Sequence, residues 1–238
     1  MLGTLINVFT VLVGGLLGTL MGTRLPEKMR QTVVYGLGLV TAVVGMQTAF
    51  ATDNVILIMV SVLVGGILGE WARIEDHLAA FGHWLERRFG SQEDERSLTR
   101  AFVTASLVFC VGPLTVVGSI QDGLTGDYTM LAIKSVLDGF GALAFAASLG
   151  PGVLLSILTI VAVQGGLSLA AMGLGDALGA VTRSTPWVVE MSAAGGVLML
   201  GISLLLLDLR RVRVANLLPA VLIAPLAQIA LETLGLAP

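Results

Sequence analysis

Eight mostly apolar stretches of about twenty residues recur along the 238-residue chain, each long enough as a helix to cross the ~30 Å hydrocarbon layer of a bilayer. They fall at about 4–22, 32–50, 54–71, 99–120, 130–149, 152–172, 187–207 and 214–235. In lipid every backbone N–H and C=O must be satisfied internally, which a helix does within one segment. The expected fold class is therefore all-α, a polytopic transmembrane helix bundle read as a single transmembrane domain over 1–238. Charged residues are only 12% and mean hydropathy is +0.94, about half the charge of an ordinary soluble domain. No basic region precedes the first stretch and no small-residue cleavage site follows it, so Met1–Met21 reads as a retained span. Fusing or burying one stretch would leave seven spans.

Basic residues discriminate between these counts. Arg24, Lys28 and Arg30 lie between spans 1 and 2, and Arg73, Arg87, Arg88, Arg96 and Arg100 between spans 3 and 4 or at the edge of span 4. Arg210, Arg211 and Arg213 lie between spans 7 and 8. Eight spans put all three groups on one side, the cytoplasmic side by the positive-inside rule, with both termini outside. Merging spans 5 and 6 would split them.

One loop is patterned. Over about 73–90, Ala79, Ala80, Phe81, Trp84, Leu85 and Phe89 recur at helical spacing beside Glu75, Asp76, Glu86, Arg87 and Arg88. This predicts an amphipathic helix on the membrane interface. His77 and His83 within it do not share a face and read as solvated. The run Glu93-Asp94-Glu95 reads as a solvated linker. A single cysteine, Cys110, excludes an internal disulfide and a multi-cysteine metal site. No metal site, cofactor or nucleic-acid surface is expected.

Repetition is visible. Val11-Leu12-Val13-Gly14-Gly15-Leu16-Leu17-Gly18 returns as Val62-Leu63-Val64-Gly65-Gly66-Ile67-Leu68-Gly69, with a weaker echo at Val161-Ala162-Val163-Gln164-Gly165-Gly166-Leu167. The third copy opens span 6 and runs opposite to the first two, which is the pattern of inverted-repeat transporters or a chance likeness of Gly/Val/Leu-rich helices. Gly14, Gly18 and Gly22, and then Gly65 and Gly69, form small-residue stripes. These suit either close packing of spans 1 and 3 within one subunit or a homo-oligomer face.

Polar residues concentrate in Cys110–Gly139. Gly112-Pro113 breaks span 4, because Pro113 lacks an N–H and clashes with the carbonyl of Phe109. Thr115 and Ser119 are placed to satisfy the freed groups. Gln121 and Asp122 follow, and span 5 carries Lys134, Ser135 and Asp138. Asp138 falls about 12–14 Å into span 5, near the midplane, and Lys134, four residues earlier, shares its helix face. Such a pair faces a bundle interior or a water-filled cavity. It either locks spans 4 and 5 together or forms a solute pathway. Gln164, Gln47 and Asn7 are amides that suit the same cavity or interhelical glue, and Glu190 reads as a pathway acid or a solvated one.

The run Gly112-Pro113-Leu114-Thr115-Val116-Val117-Gly118-Ser119-Ile120-Gln121-Asp122-Gly123-Leu124, with Lys134-Ser135-Val136-Leu137-Asp138-Gly139, resembles the signature of the YqgA/YdfK-type family of uncharacterised bacterial inner-membrane proteins. Asn7-Val8 and Arg24-Leu25-Pro26-Glu27 are similar too. The resemblance spans essentially the whole chain. It implies a bacterial cell-membrane protein with a fold of its own and names no substrate.

Three functions are open on these residues. A transporter or channel for an ion or small polar solute fits the broken helix and the midplane pair. A structural or sensory membrane component would use the amphipathic helix as its contact surface. An enzyme fits least, since no predicted span holds a histidine and Ser135 projects about 100° away from Lys134 around a helix.

Overall fold

A computed structural model describes residues 1–24, 26–89, 95–110, 112–174, 181–210 and 212–235. Glu93 and Asp94 of the acidic run fall outside this set, as do the side chains of Leu85, Phe89 and Pro113. Among the described residues the chain is all-helical, with helices wherever the sequence is apolar. They are α1 (Leu2–Gly22), α2 (Glu27–Ala49), α3 (Val55–Trp71), α4 (Ile74–Phe89), α5 (Glu95–Cys110), α6 (Pro113–Leu124), α7 (Thr129–Leu149), α8 (Ser156–Ile160), α9 (Gly166–Leu174), α10 (Pro186–Leu206) and α11 (Pro219–Thr233). A 3-10 turn, Pro151–Leu155, leads into α8, and a π turn, Val161–Gly165, joins α8 to α9. Six helical stretches are long and apolar enough to cross a membrane, and two bent pairs raise the number to eight. The bent pairs are α3 with the start of α4, at 57°, and α5 with α6, at 62°. The second is the predicted broken fourth span.

The chain divides into two compact units, residues 1–37 with 79–181 and residues 38–78 with 182–238. In the first, α1 lies against α7 along its length. Gly14, Gly18 and Gly22 sit directly on the backbone of Gly139, Leu143 and Ala147, where a Cβ would overlap a carbonyl oxygen. The matched order of these contacts makes α1 and α7 parallel. Alongside, Gly152 seats on the backbone of Leu98, and Ser106 and Thr159 hydroxyls meet at 2.9 Å, so α5 and the 151–160 stretch are also parallel. Arg30 Nη2 donates to the Ser148 carbonyl at 3.1 Å, tying the start of α2 to the end of α7.

In the second unit α3 runs antiparallel to α11, with Gly65 against Ala220 and Gly69 against Asn216. Leu57, Ile58, Ala193, Ala194, Ala220 and Ala224 form its core. Gly45 meets the backbone of Gly196 where α2 passes α10. All these relative directions are those of eight spans crossing alternately.

The glycine stripes correct one expectation. The stripe of α1 seats on α7 and that of α3 on the 216–220 stretch leading into α11, each within its own unit. Both are covered within the chain.

Helix α4 forms where the amphipathic pattern predicts. Phe81 and Trp84 stack at 5.8 Å between ring centroids and stay 43% and 51% exposed, while Phe81 also rests on Phe102 of α5 at 5.9 Å. Aromatic side chains half-covered in this way suit a membrane interface.

Candidate solute site

The centre of the first unit is built on the break in span 4. Helix α5 stops at Cys110, and α6 starts with Pro113 as its first residue. Between them Gly112 takes φ 148°, a conformation that side chains disfavour, which explains glycine there. A proline at the first helical position gives up an N–H that a helix start leaves unpaired anyway.

The break frees the Phe109 carbonyl, and two side chains take it. Thr115 Oγ1 donates to it at 3.3 Å and Lys134 Nζ at 2.7 Å. Lys134 Nζ also pairs with Asp138 Oδ2 on its own helix face, one turn on. Asn7 Nδ2 donates to the same carboxylate oxygen at 2.9 Å. Asn7, Lys134 and Asp138 are all buried. Asp138 lies at the middle of the 21-residue α7, as the sequence predicts. Three spans therefore meet at one ion pair: α1 through an amide, α7 through both charges, and the broken span through a carbonyl and a hydroxyl. The Phe109 ring packs edge-on against Phe145 at 6.1 Å beside it.

The other predicted residues separate into groups. Ser135 is buried, but its hydroxyl bonds back to the Leu131 carbonyl at 2.6 Å and not to Lys134. Asp122 is buried at the far end of α6. It accepts the Gly3 N–H at 3.2 Å and pairs with the Met1 ammonium at 3.0 Å, so it caps α1 and does not join Asp138. Gln121 Nε2 donates to the Val181 carbonyl at 3.3 Å. Ser119 does not satisfy the broken helix as predicted; its hydroxyl has no partner among the described residues, and the Phe109 carbonyl is taken by Thr115 and Lys134. Gln164 is fully buried in the π turn, with neither amide atom hydrogen-bonded among the described residues.

Two further expectations change. Gln47 is exposed. Glu190 is buried and not solvated, accepting from Thr52 Oγ1 at 2.7 Å in the second unit. His77 Nδ1 lies 2.9 Å from the Arg73 carbonyl within α4. Among the described residues no group of three metal-ligating side chains exists.

Of the three amides that suit the cavity in sequence, Asn7 is the one that reaches the ion pair. A signal was there: Asn7, Gly14 and Gly18 are spaced by seven and four residues and share the α1 face that packs on α7. The Lys134–Phe109 contact and the π turn had no comparable signal.

The family model described as "Protein of unknown function (DUF554)" matches residues 2–229. The chain belongs to the DUF554 family. It is 30% identical over 226 residues to the "Uncharacterized protein YqgA" of Escherichia coli (strain K12), covering 94% of each chain. It is 27% identical over 240 residues to the "Uncharacterized membrane protein YdfK" of Bacillus subtilis (strain 168), covering 99% of each. No solved structure matches. The resemblance read from the 112–124 and 134–139 segments is thereby borne out, and a membrane protein with several spans is what this DUF554 chain is.

Proposed function

We propose that this chain is a transporter or channel for an ion or small polar solute, acting through the polar cluster between its fourth and fifth spans. The observation that carries the reading is the buried Lys134–Asp138 pair at mid-span, held by Asn7 and by the carbonyl that the helix break exposes. Desolvating two charges costs several kcal/mol each, and a well-packed apolar pair locks helices as well or better. A pair retained at that cost, at a broken helix, suits a site where an ion or solute exchanges with protein groups. The opposed direction of the third Gly-Gly copy supports an inverted-repeat origin: Gly15 meets Leu154 and Met1 meets Gly165, so the 154–165 stretch runs against α1. Its Gly165, which stands where Gly14 and Gly65 do, meets the Met1 side chain and no backbone, and Gly166 has nothing within 4 Å, so the likeness does not extend to packing.

The proposed setting is the bacterial inner membrane with both termini outside. Single-cysteine labelling should place 24–30, 73–89 and 212–213 in the cytoplasm and 122–129 and 181–186 outside. Cytoplasmic labelling at 181–186 would remove both the eight-span topology and the opposed third copy.

Function is tested by flux. Proteoliposomes holding the purified chain should move a proton, an alkali cation or a small polar solute faster than empty vesicles, and Asp138→Asn should remove that difference. Flux equal to empty vesicles across the panel would favour the second reading, a structural or sensory component, for which the half-exposed Phe81–Trp84 stack on α4 is the contact surface.

A further inference from the structure

About one turn outward from the ion pair, a second set of polar side chains comes to one level from three spans. Four contacts set the register. The Gly3 N–H meets Asp122 of α6, Gly15 meets Leu154, Met1 meets Gly165, and Ser168 Oγ donates to the Ser119 carbonyl at 2.9 Å. Gly123 of α6 also meets Ala171, so α6 is parallel to α9, and α1 runs antiparallel to both α6 and the 151–165 stretch, its neighbours. Thr4, Ser119 and Gln164 fall at the same height, with Asn7 one turn deeper on α1. All four are at least 95% buried. Thr4 Oγ1, Ser119 Oγ, Asn7 Oδ1, and Gln164 Oε1 and Nε2 have no hydrogen-bond partner among the described residues. Five orphaned, buried polar atoms within about one turn of one another is a concentration that folded proteins avoid unless something occupies it. The π turn at Val161–Gly165 adds to this, since such bulges recur at functional sites.

We infer that Thr4, Asn7, Ser119 and Gln164 form a binding site for a partly dehydrated monovalent cation, an inference that rests on the transport reading above. The chemistry of the layer selects the ligand. It offers four neutral oxygens, two from amides and two from hydroxyls. The neighbouring carboxylates are each already paired, Asp122 with the Met1 ammonium and Asp138 with Lys134, so the selection rests on the lone pairs of the four neutral oxygens. A divalent ion takes several carboxylates directly, and these oxygens include none. The orphaned donors, the Thr4 and Ser119 hydroxyls and Gln164 Nε2, suit water molecules that the cation retains.

The test is a binding measurement on the full chain in detergent, independent of flux. Tm is followed as choline chloride is replaced by lithium, sodium or potassium chloride at constant ionic strength. At ten times its Kd, one of these cations should raise Tm by roughly 3 °C. Gln164→Leu, which removes two orphaned atoms from an apolar setting, should raise Tm in choline and abolish the cation-dependent rise. Ser119→Ala, the milder variant, should fold normally and weaken apparent affinity by about tenfold, the effect of one lost oxygen ligand. Equal Tm in choline and in every alkali cation would overturn the inference. So would a cation-dependent rise left intact in both variants, which would put the ion elsewhere. Asp138-dependent flux of another solute without any cation effect would overturn this inference and leave the transport reading standing. A Gln164-dependent cation effect without flux would do the reverse.

Discussion

Helices α1 and α3 carry almost the same octapeptide, yet the two compact units that they organise hold opposite contents. In the first unit Gly14 and Gly18 bring α1 onto α7, the helix with Lys134 and Asp138. In the second, Gly65 and Gly69 bring α3 onto α11, and the space fills with Leu57, Ile58 and alanines. Unit 2 keeps its charged contacts near helix ends, where Glu70 meets Arg213 at 2.7 Å and Glu190 meets Thr52, and the polar side chain buried at the middle of α3 is the uncharged Ser61. The repeats are offset by 62 − 11 = 51 residues, so Asn7 corresponds to Ile58 and Thr4 to Val55. The motif therefore sets how closely two backbones approach. A few residues one or two turns earlier decide whether that closeness encloses a polar site or an apolar core.

The largest expected effect tests whether charge at mid-span is the functional difference. Asp138→Asn should abolish flux, whereas Glu190→Gln in the other unit should leave it near the unmodified rate. The pair also has to be separated from its structural role. Removing one charge leaves the other buried and unpaired, at about 3–5 kcal/mol, but replacing both by Leu is often neutral or stabilising. Lys134→Leu with Asp138→Leu should therefore be stable and inactive. A well-folded double variant with normal flux would reduce the pair to a lock.

Next comes the shared packing device. Alanine at Gly14 or at Gly69 places a Cβ into a backbone carbonyl, and each should cost about 1–3 kcal/mol as overpacking. Gly36 has nothing within 4 Å, and its alanine variant should change stability by less than about 0.5 kcal/mol. Thermal or denaturant unfolding compares the three directly. Equal tolerance at Gly14 and Gly36 would mean that α1 does not need its close approach to α7.

A smaller change converts one unit toward the other. Asn7→Ile gives α1 the residue that α3 carries. It deprives Asp138 of its amide donor while the Lys134 pairing stays. Loss of a hydrogen bond to a charged group is worth about 1.5–3 kcal/mol, partly offset by new apolar contacts. Flux should fall well below the unmodified rate with the fold intact. Unchanged flux would show that Asn7 serves packing alone.

How much of this was legible follows from which forces are local. Span positions came from runs of apolar residues, and the span 4 break came from Gly112-Pro113, because lipid and proline geometry act on nearby chain. The Lys134–Asp138 contact came from a spacing of four. What sequence could not give was the partner across space. Pro113 marked the Phe109 carbonyl as freed, but Thr115 was a local candidate for it and Lys134, 25 residues away, was not foreseen. The stripes at Gly14 and Gly65 announced close packing without saying against which helix. The π turn at Gln164 has no compositional mark, since it depends on how α8 and α9 seat on their neighbours.

The smallest effect concerns how the charged helix begins. The Thr129 N–H, at the first residue of α7, donates to Asp127 Oδ1 at 3.0 Å in the exposed loop before it. The Thr129 hydroxyl and N–H hold the Asp127 carboxyl below its ordinary value of 3.8. A depressed carboxylate pKa contributes stability above the unfolded value, and that contribution is lost as pH falls through the folded value. Helix α10 of the other unit starts differently, with Pro186 at its first turn and no side-chain cap from Thr185. Acid should therefore loosen the first turn of α7 and spare that of α10. Amide exchange read residue by residue checks this: protection at Thr129 should drop as pH falls below 3.8, while Val188 and Val189 stay protected. Asp127→Asn keeps an acceptor without a titrating proton, so its Thr129 protection should no longer depend on pH in that window. The same pH-dependent loss in the Asn variant would assign the acid sensitivity to another group and leave the two helix starts alike.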